Sequence, residues 1–212
     1  MEKIQQIFVN RDGGEAFYHL VTNKNGFTLF NANLDVHSMA SLPEETATIQ
    51  GVDFNARATA VYLGTDTGKV YKYAIAQREL IASQTLSVGE GVSVEILYCL
   101  NYLQGKDVFV AYGSGAAPGK ELMTLDFDQK KVQHFPIGEN DVYGGEICQI
   151  MATPDSEFVL LGVPATSSFC VFGFDKYKSA LSLQKRVHID GFRTFEMDRH
   201  ATQLVFLNQR CR

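Results

Sequence analysis

Apolar and polar residues alternate along this chain with the period of two that is typical of half-buried β-strands. KVYKYAI, which begins at Lys69, shows this alternation, whereas Phe158–Leu161 is continuously apolar, as in strands covered on both faces. Turn-forming pairs such as Asn25-Gly26 and Thr67-Gly68 stand between the apolar runs. Because no amphipathic helical pattern exceeds two turns, the pattern predicts an all-β protein.

The strands are arranged in a repeat of about 45 residues. Its central hairpins are AFYHLVTNKNGFTLFNAN from Ala16, AVYLGTDTGKVYKYAI from Ala60, DVFVAYGSGAAPGKELMTLDF from Asp107 and EFVLLGVPATSSFCVFGF from Glu157, with a further copy starting as QLVFLNQRCR from Gln203. Equivalent positions are Phe17, Val61, Val108, Phe158 and Leu204, at spacings of 44, 47, 50 and 46 residues. Five hairpins in register indicate a true structural repeat.

Each hairpin is flanked by two further predicted strands. The preceding strand recurs as Ile4-x-x-Ile7, Ile49-x-x-Val52, Ile147-x-x-Ile150 and Phe192-x-x-Phe195. The segments Leu34–Thr48 and Gln77–Gly91 are expected to carry the fourth strand of their repeats and an outer loop. Each repeat is therefore predicted to be a four-stranded antiparallel sheet, which must stack against neighbours to bury both of its faces.

Four-stranded units at this period are typical of the blades of a β-propeller rather than of a β-sandwich. Residues 1–212 are predicted to form one propeller, with about four and a half blades visible. The expected blades are residues 1–46, 47–91, 92–145, 146–190 and, as a partial blade, 191–212. Three explanations of the odd number stay open: a longer chain, which we favour, another polypeptide that completes the ring, or a closed four-bladed ring with the tail as a latch.

Two segments resemble the blades of WD-repeat-type propellers. MATPDSEFVLLGV, from Met151, is similar to the strand–"SPDG"-turn–strand element of that superfamily, and YLGTDTGKVYKY, from Tyr62, is similar to the second and third strands of many blades. The chain has no Trp and no Gly-His pair, so the Trp-Asp dipeptide and the His–Asp network of the orthodox repeat are not visible. The resemblance implies a divergent, WD-repeat-like propeller.

Composition and charge disfavour several classes of function. The formal net charge is −5, and the densest basic stretches, Lys130-Lys131 and Lys185-Arg186, are only pairs. Nucleic-acid binding and a polybasic membrane patch are therefore disfavoured. The start of the chain lacks the pattern of a signal peptide, and no apolar run approaches the roughly 20 residues of a membrane span. A cytoplasmic protein is expected.

The chain shows no motif for catalysis, a metal or a cofactor. The four cysteines lie far apart and are interpreted as reduced core residues, and the five histidines share no spacing, so neither set indicates a metal site. Gly64–Gly68 precedes a strand and lacks the GxxxxGK[ST] pattern, which favours a tight hairpin over a phosphate loop. We expect no cofactor and no catalytic residue.

The leading functional hypothesis is a non-catalytic scaffold that binds other proteins within a larger multiprotein assembly. A rigid repeat scaffold places recognition on its loops, which makes four segments candidate contacts: Arg11–Gly14, Ala56–Thr59, Gly113–Gly119 and Glu139–Gly145. The individual candidates are Arg11, Asp12, Arg57, Ser114, Pro118, Asn140 and Asp141. The alternative is a lactonase-like propeller hydrolase with its site at the central channel.

Overall fold

A computed structural model describes most of the chain. The described residues are 3–9, 17–55, 57–86, 92–100, 107–114, 120–136, 147–198 and 203–208. They contain β-strands and one short 3-10 helix, Pro164–Thr166, and none of them lies in an α-helix. The all-β prediction is confirmed.

The strands of the first two sheets follow one another along the chain. They are β1 (Lys3–Val9), β2 (Phe17–Asn23), β3 (Gly26–Phe30), β4 (Val36–Ser41), β5 (Ile49–Phe54), β6 (Ala60–Thr65), β7 (Lys69–Ala74) and β8 (Glu79–Thr85). Each sheet is a meander, in the order β1-β2-β3-β4 and β5-β6-β7-β8. The strand pairs within both sheets are antiparallel.

The remaining strands form three further sheets. They are β9 (Ile96–Leu100), β10 (Val108–Ser114), β11 (Lys120–Asp126), β12 (Lys131–Pro136), β13 (Gln149–Ala152), β14 (Phe158–Val163), β15 (Ser168–Asp175), β16 (Ala180–His188), β17 (Phe192–Met197) and β18 (Leu204–Asn208). The orders are β9-β10-β11-β12, β13-β14-β15-β16 and β17-β18. The five aligned sequence positions all fall at the first or second residue of the second strand of a sheet, so the predicted repeat is confirmed.

The chain divides into two compact units. Unit 1 comprises Met1–Cys99 and Gly113–Pro118, and unit 2 comprises Leu100–Tyr112 and Gly119–Arg212. In unit 1, an apolar cluster lies between the first two sheets and contains Leu20, Phe27, Leu29, Leu42, Ala47, Ile49, Val52, Phe54, Val61, Leu63, Tyr71, Tyr73 and Ile75. Stacking of neighbouring sheets thus buries faces that neither sheet could bury alone.

Unit 2 contains an aromatic cluster between its last two sheets. Leu160, Phe169, Phe192 and Phe195 are buried there, and Phe206 packs against them. The ring of Phe169 lies edge-on to those of Phe195 and Phe206, with centroid distances of 4.9 and 5.0 Å. Such geometry adds to the energy gained from apolar burial alone.

One side-chain-capped turn recurs after the first strand of three sheets. Its first residue is Asn55, Thr153 or Asp198, whose backbone N–H donates to the carbonyl five positions later at 3.1, 3.0 and 3.1 Å. The side-chain oxygen of the same residue accepts a hydrogen bond from the backbone N–H five positions later at 3.0, 3.1 and 2.8 Å. Small polar side chains commonly form such local hydrogen bonds, and here these bonds lie where β6, β14 and β18 begin.

A buried carboxylate links two strands of unit 1. Asp53, in β5, accepts the backbone N–H of Cys99 at 2.6 Å through Oδ2 and that of Phe54 at 2.8 Å through Oδ1. We expect Asp53→Ala to lower the free energy of unfolding by about 2 kcal/mol, because two backbone donors lose their acceptor. Urea unfolding followed by circular dichroism measures this loss. Asp53→Asn retains one acceptor oxygen and should cost about half as much; equal losses for both substitutions would contradict the explanation.

Candidate functional site

The structure describes two of the seven contact residues predicted from sequence. Arg57 is exposed in the turn between β5 and β6. Ser114 is the half-buried last residue of β10, and its N–H donates to Ser93 Oγ at 3.1 Å. The other five candidates, Arg11, Asp12, Pro118, Asn140 and Asp141, lie outside the described residues.

Arg57 and Ser114 lie at opposite ends of their respective sheets. Arg57 follows the first strand of its sheet, whereas Ser114 ends the second strand, and successive turns of an antiparallel meander alternate between the two ends. Gly113 and Ser114 belong to β10, so this strand extends two residues into the segment predicted as a loop. The backbone N–H of Ser93 donates to the Ser114 carbonyl at 3.0 Å, which explains the extension.

The three described cysteines are free thiols, and Cys99 among them is only partly buried. Cys170 is buried, as predicted, and burial raises the pKa of its thiol. Cys148 is exposed, so the prediction of a core cysteine is wrong at this position. Its thiol donates to the Arg193 carbonyl at 3.5 Å, and desolvation raises its pKa as well. Raised pKa values keep both groups protonated, which is unlike a catalytic thiolate.

Two of the histidines have carboxylate partners, and the glycine-rich turn is part of a hairpin. His134 Nδ1 lies 2.9 Å from Glu121 Oε1, and His188 Nε2 lies 2.9 Å from Asp190 Oδ1. Across the part of the chain that the structure describes, no three His, Cys, Asp or Glu side chains are grouped to hold a metal ion. Gly68, with φ of +70°, ends the turn between β6 and β7. The predicted hairpin at Gly64–Gly68 is therefore confirmed.

The turn between β15 and β16 presents an aromatic side chain to solvent. Tyr177 is 99% exposed, and it stands between Lys176 and Lys178. The ammonium of Lys178 lies 3.9 Å from Asp175 Oδ2. Full exposure of a tyrosine leaves its whole ring available for contact with another molecule.

The backbone beneath Tyr177 is held at both ends of the turn. Asp175 Oδ1 accepts the N–H groups of Tyr177 and Lys178 at 2.9 and 3.1 Å. Ser179, with φ of +54°, is buried, and its carbonyl accepts the Thr124 hydroxyl at 2.6 Å. The side-chain amide of Gln133 donates to the Lys178 carbonyl. An exposed ring therefore stands on an ordered backbone, which defines the Tyr177 turn (residues 176–179).

The same end of this sheet exposes a second aromatic residue. Phe158, the first residue of β14, is partly exposed and follows the capped turn that begins at Thr153. Within that turn, a hydrogen bond from Thr153 Oγ1 to Asp155 at 2.6 Å, together with the Glu157 N–H, lowers the pKa of the Asp155 carboxyl. The turns β13–β14 and β15–β16 thus bring Phe158 and Tyr177 to one end of one sheet.

Solved structures share this arrangement of sheets. The β-propeller domain of Cps50 (Swd1) from Myceliophteria thermophila matches 99% of this chain with a TM-score of 0.68 and 12% sequence identity. The Dos1 propeller matches 90% of the chain with a TM-score of 0.62, also at 12% identity. The chain covers 66% of the Cps50 domain and 49% of the Dos1 propeller. No protein-family model and no curated protein matches the sequence.

These likenesses define the fold class. The protein is an all-β chain with the β-propeller fold, built from four-stranded antiparallel blades. Identity of 12% shows the fold alone. Among the described residues, no helix is long and apolar enough to cross a lipid bilayer.

Proposed function

We propose that this chain is a non-catalytic scaffold of the WD-repeat-like propeller type, which binds other proteins within a larger multiprotein assembly in the cytoplasm. The Tyr177 turn is the observation that carries the proposal. Tyrosine is enriched at protein interfaces and among the few residues that dominate binding energy. Binding through this turn costs little backbone entropy, because hydrogen bonds already hold the turn in place.

The fold supports the same proposal. Stacked sheets with side-chain-capped turns form a rigid base, and loops on such a base commonly carry recognition. Arg57 and Ser114 remain proposed contacts, together with Arg11, Asp12, Pro118, Asn140 and Asp141. The partners are proposed to be proteins, since the net charge of −5 is unfavourable for nucleic acid.

Tyr177→Ala is expected to weaken partner binding about tenfold or more, because an exposed aromatic anchor is removed. The substitution should change the free energy of unfolding by no more than about 0.5 kcal/mol, since the ring packs against nothing. The measurement is affinity purification of the tagged protein from native extract, with each co-purified protein quantified by mass spectrometry. Proteins that no longer co-purify with the Tyr177→Ala variant are then titrated directly against the wild-type protein and the variant.

Met39→Ala is the matched control. Met39 is exposed in β4, within unit 1, and its truncation should leave the co-purified proteins unchanged. Thermal unfolding of both variants separates lost binding from lost structure. Recovery of the wild-type protein from native extract as a lone monomer would refute the scaffold proposal.

A further inference from the structure

The Tyr177 turn stands next to a second turn of unit 2, which joins β11 to β12. The Thr124 hydroxyl of β11 donates to the Ser179 carbonyl at 2.6 Å, and the Gln133 side chain of β12 donates to the Lys178 carbonyl. Thr124 and Gln133 are direct partners in the β11–β12 ladder, close to the end at which the two strands are joined. The two turns are therefore neighbours in one ordered surface.

Three lysines of these two turns have exposed side chains. Lys130 and Lys131 are exposed where β12 begins, and 79% of the Lys178 side chain is exposed. Lys131 lies on the same face of β12 as Gln133, because residues two apart in a strand share a face. Since Gln133 contacts the backbone of Lys178, the ammonium groups of Lys131 and Lys178 lie near each other and near the Tyr177 ring.

The exposed carboxylates of the same turns accept hydrogen bonds from the backbone. Asp175 Oδ1 accepts the N–H groups of Tyr177 and Lys178 at 2.9 and 3.1 Å, and Asp128 Oδ2 accepts that of Asp107 at 3.3 Å. The ammonium of Lys178 is 3.9 Å from Asp175 Oδ2, and exposed pairs of this kind contribute little. The carboxylates are thus held against the backbone, whereas the lysine side chains extend into solvent.

Charge is unevenly distributed over the turns at this end of the β13–β16 sheet. The β13–β14 turn carries the exposed carboxylates Asp155 and Glu157. The Thr153 hydroxyl and the Glu157 N–H lower the pKa of the Asp155 carboxyl, and the charge of Lys176 contributes to the same shift, so Lys176 lies towards this acidic turn.

The other two turns are basic, although the whole protein has a net charge of −5. They contain four lysines, Lys130, Lys131, Lys176 and Lys178, and two exposed aspartates, Asp128 and Asp175. An exposed aromatic ring among lysines is complementary to a negatively charged surface that also offers an apolar contact.

We propose that the Tyr177 turn and the β11–β12 turn together bind an acidic segment of a partner protein. Carboxylates of that segment pair with Lys131 and Lys178, and an apolar side chain of the same segment packs on the Tyr177 ring. Complementary charges of this kind select the partner and speed its association, whereas a buried aromatic ring supplies much of the affinity. This inference rests on the proposed function as a scaffold, and it names the chemistry of the segment that the site accepts.

The first experiment tests whether carboxylates contact these lysines. A carbodiimide forms an amide between a lysine amine and a carboxyl group, with loss of water and without a spacer, so it joins only groups in direct contact. In nuclease-treated native extract, Lys131 or Lys178 should be joined to an Asp or Glu of a protein whose co-purification depends on Tyr177. If such a protein co-purifies without any crosslink from either lysine, or is lost after nuclease treatment, the proposal is overturned.

The second experiment removes the two charges. Lys131→Gln with Lys178→Gln should weaken binding of the crosslinked partner about tenfold in direct titration at low salt. The difference from the wild-type protein should shrink at about 0.5 M NaCl, because salt screens exposed charges. The matched control is Lys24→Gln with Lys185→Gln, which removes two exposed lysines outside both turns and should leave the affinity within about twofold of the wild-type value. Thermal unfolding of both double variants shows whether the fold is retained.

The variants separate this inference from the scaffold function. If Tyr177→Ala loses its partners whereas Lys131→Gln with Lys178→Gln binds them as tightly as the wild-type protein does, the scaffold function stands and the acidic-segment proposal fails. If neither change affects any co-purified protein, both proposals fail.

Discussion

Phe195→Ala is expected to lower the free energy of unfolding by about 4 kcal/mol, the largest effect of any single substitution considered for this protein. The Phe195 ring is fully buried, lies edge-on to Phe169 at 4.9 Å and is stacked on Phe192 at 6.4 Å. Truncation to alanine removes these contacts and leaves a cavity that the surrounding rings can fill only in part. Urea unfolding measures the loss, with circular dichroism as the probe because the chain has no Trp.

Two further substitutions make this prediction specific. Phe195→Leu keeps most of the apolar volume and should cost about 1 kcal/mol, so it gives a measurable transition even if Phe195→Ala does not fold. Val205→Ala, at an exposed position of β18, should change the free energy of unfolding by less than about 0.5 kcal/mol. Similar losses for Phe195→Leu and Val205→Ala would show that the aromatic cluster does not stabilise unit 2.

Gly113→Ala is expected to destabilise the protein by about 3 kcal/mol, because an added methyl group has no room. A Cβ atom at this position would lie 2.0 Å from the Ser93 carbonyl oxygen and 2.8 Å from the Ser93 carbonyl carbon. Both atoms belong to the backbone, so they cannot rotate away as a side chain can. Relief requires that Ser93 and Ser114 separate, which breaks the hydrogen bonds of 3.0 and 3.1 Å between them.

Gly26→Ala is the control for Gly113→Ala. A Cβ atom at Gly26 would lie 3.3 Å from Ser41 Oγ and 3.4 Å from the Ala40 carbonyl oxygen, so only a small adjustment is needed. We expect a change of less than about 1 kcal/mol in the urea experiment. Equal effects at the two glycines would indicate loss of backbone freedom rather than the close approach of Ser93.

Much of the fold follows from local pattern, as the hairpin of β6 and β7 shows. The alternation in KVYKYAI and the turn at Thr67-Gly68 predict this hairpin without knowledge of its neighbours, because both are local properties of the chain. The first hairpin differs slightly from its prediction. Gly26 pairs with Asn23 inside the sheet, and the turn is formed by Lys24 and Asn25, with Lys24 at φ of +45°. The Asn25-Gly26 pair therefore predicts the position of this turn to within one residue.

Residue type does not predict which residues adopt the left-handed conformation in the turns before the fourth strands. Their left-handed residues are Leu34, Arg78, Lys130 and Ser179, with φ between +54° and +64°. None is Gly, Asn or Asp, the residues that adopt this conformation most readily. Hydrogen bonds impose the conformation instead, for example from Leu34 N–H to the Asn31 carbonyl at 3.0 Å.

Sequence reasoning also missed the Tyr177 turn. The available signal was an aromatic residue within DKYKS, a polar segment between two strands, where turn residues are normally small or charged. The hydrogen bonds from Thr124 and Gln133 join residues 55 and 45 positions apart in sequence, so the ordered backbone is not predictable from local pattern. The predicted contact residues lie in loops, and loop position alone carries no information on the rigidity of the backbone.

Local sequence pattern is sufficient to specify which segments are strands, where most hairpins turn, and that five copies of one unit follow each other. Local sterics and the period of apolar residues decide these features. Which strands are covered depends instead on tertiary packing. Phe158–Val163 and Leu204–Asn208 have similar apolar content, yet β14 is buried and β18 is exposed. Burial depends on which strands lie alongside, and that arrangement is set by packing between segments far apart in the chain.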